Sequence, residues 1–395
     1  MVDKGVRLPN IFYRFLISRN LISISFTTFI VYYLWIIVEK FRSVFLAGLI
    51  ATIYLAVQLI SSIPIGHLID RLNNTVLSLI SSFVTLFGFT FLLFGNSIFI
   101  VYSTTALITL GLTLKGDSFS AIIKKHLKDD LFRKANSRNY AAMSFSTLIG
   151  TALGGLSILY LGRYLVYILL AIVIVSILSS LPVEEEVTAG ISASAIGELY
   201  SALGFFRKIL GFVILGFILN GLIISLEVYS SGLFYIVLKT SSIYYTVFTA
   251  STPVGMTAGS ALSGYIKAKT DNAVTLSLLI TFYAPLLILL GISRNPILDI
   301  IDALVIGILL PVINIPLQTK FMQIVPRHIY GKVSAFLRVF LGGSTPAMAA
   351  IFSFIAIYFR VDAALLFVGI VMFPVSVLGF MVLPKFMRLE PEGSR

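Results

Sequence analysis

Cysteine is absent from all 395 residues, which excludes disulfides, thiolate metal sites and cysteine nucleophiles. Charge is scarce: Asp, Glu, Lys and Arg make up 12% of the chain, against 58% hydrophobic residues. A soluble fold of this length needs a polar exterior that such a composition does not supply. Histidine occurs only as His67, His126 and His328, none with acids at metal-ligand spacing, so they read as ordinary residues of inner loops and no metal is expected. The same distribution leaves no convincing Ser/His/Asp set, and the chain is not expected to be an enzyme. No Gly-Lys-Ser/Thr phosphate loop is present, which argues against an ATP-driven pump, and no cofactor is expected.

What the chain does have is long apolar runs, with its charges confined to the gaps between them. A bilayer core takes roughly 20 apolar residues per helix. The runs place twelve spans at 11–33, 43–66, 74–94, 97–122, 138–159, 163–182, 207–237, 241–266, 272–292, 296–323, 331–358 and 361–383. No small-residue cleavage site follows the first run, so it reads as a helix rather than a removed signal peptide. The fold class expected is an all-α membrane protein. The net charge of +12 fits anionic lipid better than nucleic acid, because no basic module or aromatic stacking motif accompanies it. With the N-terminus inside, only Lys40, Arg42, Arg163, Lys239, Arg294 and Arg360 of the 29 Lys and Arg fall in outer segments. That bias places both termini in the cytoplasm, with the plasma membrane as the expected location.

The longest polar interval follows the sixth span and contains Glu184-Glu185-Glu186. It divides the chain into an N-terminal six-helix bundle (1–183), a cytoplasmic linker (184–206) and a C-terminal six-helix bundle (207–395). Transporters commonly contain such repeats. Each half has a Gly-bearing inner turn, Gly66 to Arg71 and Gly264 to Asp271, and then a longer basic inner loop. These loops contain Arg133-Lys134-Ala135-Asn136-Ser137 in one half and Pro326 to Val333 in the other.

Four strings in order carry a family likeness. They are Gly66-x-Leu68-x-Asp70-Arg71 after the second span, Ala135-Asn136-Ser137 followed by Gly150-Thr151-Ala152-Leu153-Gly154-Gly155, and Pro316-Leu317-Gln318-Thr319 through Val325-Pro326 to Gly331-Lys332-Val333. The chain resembles the major facilitator superfamily, and within it the macrolide-efflux and enterobactin-exporter-like drug exporters. It departs from that pattern at Asn73-Asn74-Thr75, where a Gly and basic residues are usual, and at Thr151, where a Pro is usual. The resemblance implies two pseudo-symmetric bundles, alternating access, and a cavity lined by the first, fourth, seventh and tenth spans. It also implies an inner gate of Gly66, Asp70, Arg71 and Asp117, with Asp70 facing the start of the eleventh span and Arg71 paired with Asp117. The alternative is that Asp70 and Arg71 are solvated turn charges.

Among single residues, Glu227 stands out as an acid in an otherwise apolar span. Such groups are costly and usually face a cavity or a partner. It reads either as a proton-carrying acid or counter-ion, or as an interfacial acid capped by Lys239 or water. Asn220, seven residues earlier, falls on the same face of a continuous helix, and Ser230-Ser231-Gly232 could loosen the helix beyond it. Asp299 and Asp302, three apart, can share a face and suit proton binding, or form an outer-mouth surface. Pro311, Asn314 and Pro316 should bend their helix, as a gate hinge or as static shape. Lys115 is expected to snorkel to the inner headgroups. Gly150, Gly154 and Gly155 fit close helix packing. Candidate cavity-lining groups are Ser23, Thr27, Thr105, Thr109, Asn220, Glu227 and Asn314. The expected function is export of a small, partly apolar organic molecule by proton antiport, by a protein expected to be a monomer in a lipid bilayer. The segment Ser23 to Thr28 has no acid, which keeps an uncoupled facilitator or importer open. A non-transporting receptor or scaffold would call for a sizeable folded loop or tail.

Overall fold

Helix starts in this chain are set by short polar side chains. Asn73 accepts hydrogen bonds from the amides of Thr75 and Val76, Ser97 from that of Ile100, Asn272 from that of Val274 and Asn295 from that of Ile297, with Pro296 opening the helix behind it. Each satisfies amides that the first helical turn leaves without partners. The computed structural model describes residues 8–127, 129–183, 204–265, 272–325 and 330–389. Among these residues there are helices and no strands.

The helices are α1 (Asn10–Phe41), α2 (Val44–Arg71), α3 (Asn74–Thr90), α4 (Ile98–His126), α5 (Asp129–Leu156), α6 (Leu165–Ser179), α7 (Leu210–Ile223), α8 (Ser225–Gly232), α9 (Ser242–Tyr265), α10 (Ala273–Ile292), α11 (Pro296–Ile324), α12 (Tyr330–Tyr358) and α13 (Val361–Met387). Among the described residues, ten helices are long and apolar enough to cross a membrane. Of the twelve expected spans, α6 falls short in length, and α9, rich in Ser, Thr and Gly, is not among the ten.

The chain forms two units, Met1–Tyr33 with Ala56–Gly190, and Leu34–Leu55 with Ile191–Arg395. In the first unit α3 packs along α4 and against α6. A cluster of Leu8, Phe12, Phe15, Phe119, Ile122 and Ala135 closes one end. Close approach of α5 to α1 depends on glycine, because a Cβ at Gly150 would lie 2.9 Å from the Ile24 carbonyl and one at Gly154 3.0 Å from that of Thr28. This is the packing role that the sequence suggested for these two positions. In the second unit α9 pairs with α11 and α10 with α13, while α7 packs on α12 and α13. A Cβ on Gly255, Gly259 or Gly307 would run into the backbone of the facing helix in the α9–α11 pair.

Several local expectations change. Helix α2 continues through Gly66 to Arg71, so that string is a helix end and the turn is Leu72–Asn73. The Arg133 to Ser137 stretch, read as loop, lies in α5, anchored by the buried Ala135. His67 and His126 are helical for the same reason: the helices outrun their apolar stretches. Lys124, Lys125 and His126 occupy the last turn of α4, where cations complement the helix dipole. His328, the 184–203 part of the linker and the Pro326 to Ile329 stretch lie outside the described residues.

Candidate functional site

In the second unit, α7, α10, α11 and α12 enclose a cavity of about 710 Å³. Its polar groups are Asn220, Tyr283, Asn314, Gln318 and Thr345, set among Phe212, Leu219, Ile313, Phe321 and Leu341. Among the described residues, no acid or base lines it. A volume of this order is typical of a pocket for a drug-sized molecule. The structure thus brings together Asn220 and Asn314, named separately from the sequence. Gln318 was missed as a cavity residue, although it lies one turn beyond Asn314 and so on the same helix face. Tyr283 and Thr345 carried no signal, since one hydroxyl in an apolar span looks like any other.

Glu227 is not in this cavity. Ile224 keeps right-handed helical dihedrals and its carbonyl accepts from the amides of Glu227 and Val228, so α7 and α8 run on as one span, in which Asn220 reaches the cavity and Glu227 does not. The Glu227 carboxylate instead accepts a hydrogen bond of 2.6 Å from the Tyr54 hydroxyl, and Lys239 forms no ion pair with it. Trp35 adds an aromatic wall in the same unit, its ring 5.3 Å from that of Tyr245 and 5.2 Å from that of Tyr235. Beyond Gly232 the helix loosens into a π-turn over Leu233–Val237, as the Ser-Ser-Gly string suggested. Gly232 itself meets Val44 and Val361 at close quarters.

Asp299 and Asp302 are both buried near the start of α11, and among the described residues none of their four carboxylate oxygens has a partner at hydrogen-bond distance, although Ser293 and Arg294 lie close to Asp299. The outer-mouth surface reading fails for both, because neither is solvated. Pro311 and Pro316 sit inside α11, which runs helical through both.

In the first unit the sequence candidates diverge. Thr105 and Thr109 are fully buried, and each hydroxyl donates to a carbonyl of its own helix, Val101 at 2.8 Å and Thr105 at 2.6 Å. Thr27 packs on the Gly150 position, and Ser23 is half-buried in α1. Arg71 is exposed, Asp117 is half-buried in α4, and Gly66 has open space where a Cβ would stand. The backbone of Asp70 is helical, and its side chain lies outside the described set. Asn73 and Thr75, which mark a departure from the family string, bond to the Val183 carbonyl at 3.3 and 2.9 Å and tie the start of α3 to the end of the bundle.

Lys115 contradicts its expectation most clearly. It does not snorkel but is fully buried, with Nζ donating to the Ser78 carbonyl at 2.8 Å and to Ser82 Oγ at 2.9 Å. Ser82 continues to Ser176 at 3.3 Å, and Ser176 to Ser18 at 2.8 Å, so a polar chain crosses from α4 to α1 inside the bundle. Serine spacing alone does not reveal it, because the partners come from four helices.

Against known proteins, the family model of the Major Facilitator Superfamily matches residues 15–350. The chain belongs to the major facilitator superfamily. Solved structures similar to it include the nucleoside transporter NupG, at 12% identity and a TM-score of 0.76, over 95% of this chain and all of that one. A bacterial homolog of the human lysosomal transporter Spinster, in an inward-facing and unoccupied conformation, gives 12% identity and a TM-score of 0.75 over 97% and 98%. A POT family transporter in complex with a thioalcohol-conjugated peptide gives 12% identity and a TM-score of 0.73 over 95% and 96%. At these identities the likeness shows the fold alone. No curated protein matches the sequence. The superfamily fold is that of a multi-pass membrane transporter, and the macrolide-efflux and enterobactin-exporter likeness stays at the level of the motifs.

Proposed function

We propose that this chain is a secondary active transporter of the plasma membrane that exports a small, partly apolar, neutral organic molecule by proton antiport and alternating access. Twelve spans in two six-helix bundles, joined by the 184–206 linker with both termini cytoplasmic, complete the reading. One observation carries the substrate class: among the described residues, the second unit's cavity offers amide and hydroxyl groups on apolar walls and no fixed charge. Such a wall orients a solute by a few hydrogen bonds and excludes water from its apolar part. For coupling, the half-buried Glu227 on Tyr54 and the buried Asp299–Asp302 pair supply the in-span acids that a proton carrier needs. Export and the inner gate at Gly66, Asp70, Arg71 and Asp117 rest on the motif likeness.

The uncoupled facilitator or importer is the second reading, favoured by the absence of any acid from Ser23 to Thr28. Proteoliposomes under an imposed pH gradient separate the two. A panel of lipophilic cations, neutral drugs and sugars is offered, and proton and solute fluxes are read together. Antiport predicts that a neutral, partly apolar member moves protons against its own flux. Solute equilibration with no proton movement would replace antiport by facilitation.

A further inference from the structure

Three helix–helix turns of the second unit meet around another cavity of about 710 Å³, which no step of the transport reading uses. Arg42 comes from the α1–α2 turn, Lys239 from the stretch after the π-turn, and Arg360 from the α12–α13 turn, and all three line it. Half of the six cations that the sequence places on the outer side therefore surround one cavity. Asp362, beside it, is shared by Arg294 at 2.8 Å and Arg360 at 3.1 Å, so one carboxylate faces two guanidiniums. Neither Arg42 nor Lys239 forms an ion pair among the described residues. Arg42 also stacks on Tyr235 at 4.5 Å, which holds its guanidinium in place.

The backbone makes the same point independently. Arg42 at φ 54° and Lys239 at φ 52° are the only non-glycine residues with positive φ among the described residues. Each follows a helical segment, at a left-handed position where glycine or asparagine is the ordinary occupant. A basic side chain stands at both positions despite the steric cost, and such local strain points to a role outside folding. The rest of the lining is apolar: Val44, Phe45, Ile236, Val237, Ile357 and Phe359.

The geometry points to a binding site for an anionic phospholipid, its phosphate among Arg42, Lys239 and Arg360 and its acyl chains along Phe45, Ile236 and Ile357. Guanidinium and ammonium groups recognise phosphate oxygens by charge-assisted hydrogen bonds, and the apolar wall selects an amphiphile over a free ion. This site stands whether or not the chain exports its substrate.

The test uses the full chain, purified in detergent and stripped of lipid, with melting followed on addition of phosphatidylglycerol, phosphatidylcholine or glycerol phosphate. Phosphatidylglycerol should raise Tm well above the effect of phosphatidylcholine, because a ligand that binds only the folded state stabilises it by mass action. Glycerol phosphate alone should do little, and an equal shift from it would overturn the lipid assignment in favour of a soluble anion. In a variant carrying R42G and K239G, lipid-free Tm should not fall, since glycine suits both φ values. Its phosphatidylglycerol affinity should drop roughly 25-fold, taking about fivefold per cation near an anionic headgroup. R360Q gives a second reading should that variant fail to fold, with a smaller drop expected. Equal shifts from both phospholipids, or undiminished phosphatidylglycerol binding in the variants, would overturn the proposal.

Discussion

The Tyr54 hydroxyl donates to Glu227 Oε1 at 2.6 Å, joining residues 173 positions apart in the chain. The bond gives the one acid of α8 a specific partner. It also makes Tyr54, unremarkable in sequence, the residue through which Glu227 can be tested.

Removing only that donor separates the bond from the acid. Tyr54→Phe keeps the ring and should lower stability by about 0.5–1.5 kcal/mol, the net worth of a hydrogen bond between half-buried groups. Glu227→Gln should lose pH-gradient-driven export while retaining exchange. Thermal melts of both single variants and the double variant should be non-additive, as for groups in direct contact. Additive melts would mean that the bond contributes nothing to the fold, and normal uphill transport by Glu227→Gln would move the coupling acid to Asp302.

Lys115 tests the buried polar chain of the first unit. The Ser78 carbonyl also accepts from Ser81 Oγ at 2.6 Å, so loss of the ammonium does not leave it bare. Lys115→Met should therefore fold, with Tm near or above wild type, since replacing a buried charge by an apolar group of similar size is often neutral or stabilising. Lys115→Glu would set a carboxylate against that carbonyl and should aggregate. Size-exclusion profiles of the two variants decide the matter, and a monodisperse Glu variant would contradict it.

The cavity of the second unit predicts a binding effect separable from stability. Asn220→Ala and Asn314→Ala each remove one hydrogen-bonding group of about 0.5–1.5 kcal/mol from the lining, and should raise the KM for a transported solute by roughly two- to tenfold. Tm should stay within about 0.5 kcal/mol equivalent, as for changes away from packed sites. An unchanged KM in both variants would place the substrate elsewhere.

Glycine positions separate packing from gating. A Cβ at Gly307 would meet the Thr252 backbone, which cannot rotate away, so Gly307→Ala should cost about 1–3 kcal/mol through forced separation of α9 and α11. Gly66 has open space at the same test, so Gly66→Ala should melt as wild type. If transport by Gly66→Ala nevertheless falls, the loss belongs to gating. A large drop in its Tm would show a packing role instead.

Much of the helical outline was legible in the sequence, because spanning segments are read by length and hydropathy, which are local properties. Helix ends at Arg71, His126 and Asp129 were misjudged because apolar content stops before the helix does, and hydrogen bonding carries it on. The Asn220–Asn314 pairing was half visible as two amides in apolar runs. Their meeting at one cavity was not visible, since it depends on how α7 and α11 pack.

The sequence by itself determined that this is a multi-pass helical membrane protein, and it pointed to Gly150 and Gly154 as close-packing positions. Composition and periodicity suffice for these, because the bilayer imposes the same demand on every span. Tertiary structure alone decided the fate of the charges. Lys115 points into its bundle and not to the headgroups, Glu227 meets Tyr54 of a distant helix, and Arg42, Lys239 and Arg360 converge from three distant turns. A charge in a membrane is governed by the partner it reaches, and partners drawn from separate helices leave no local trace in the chain.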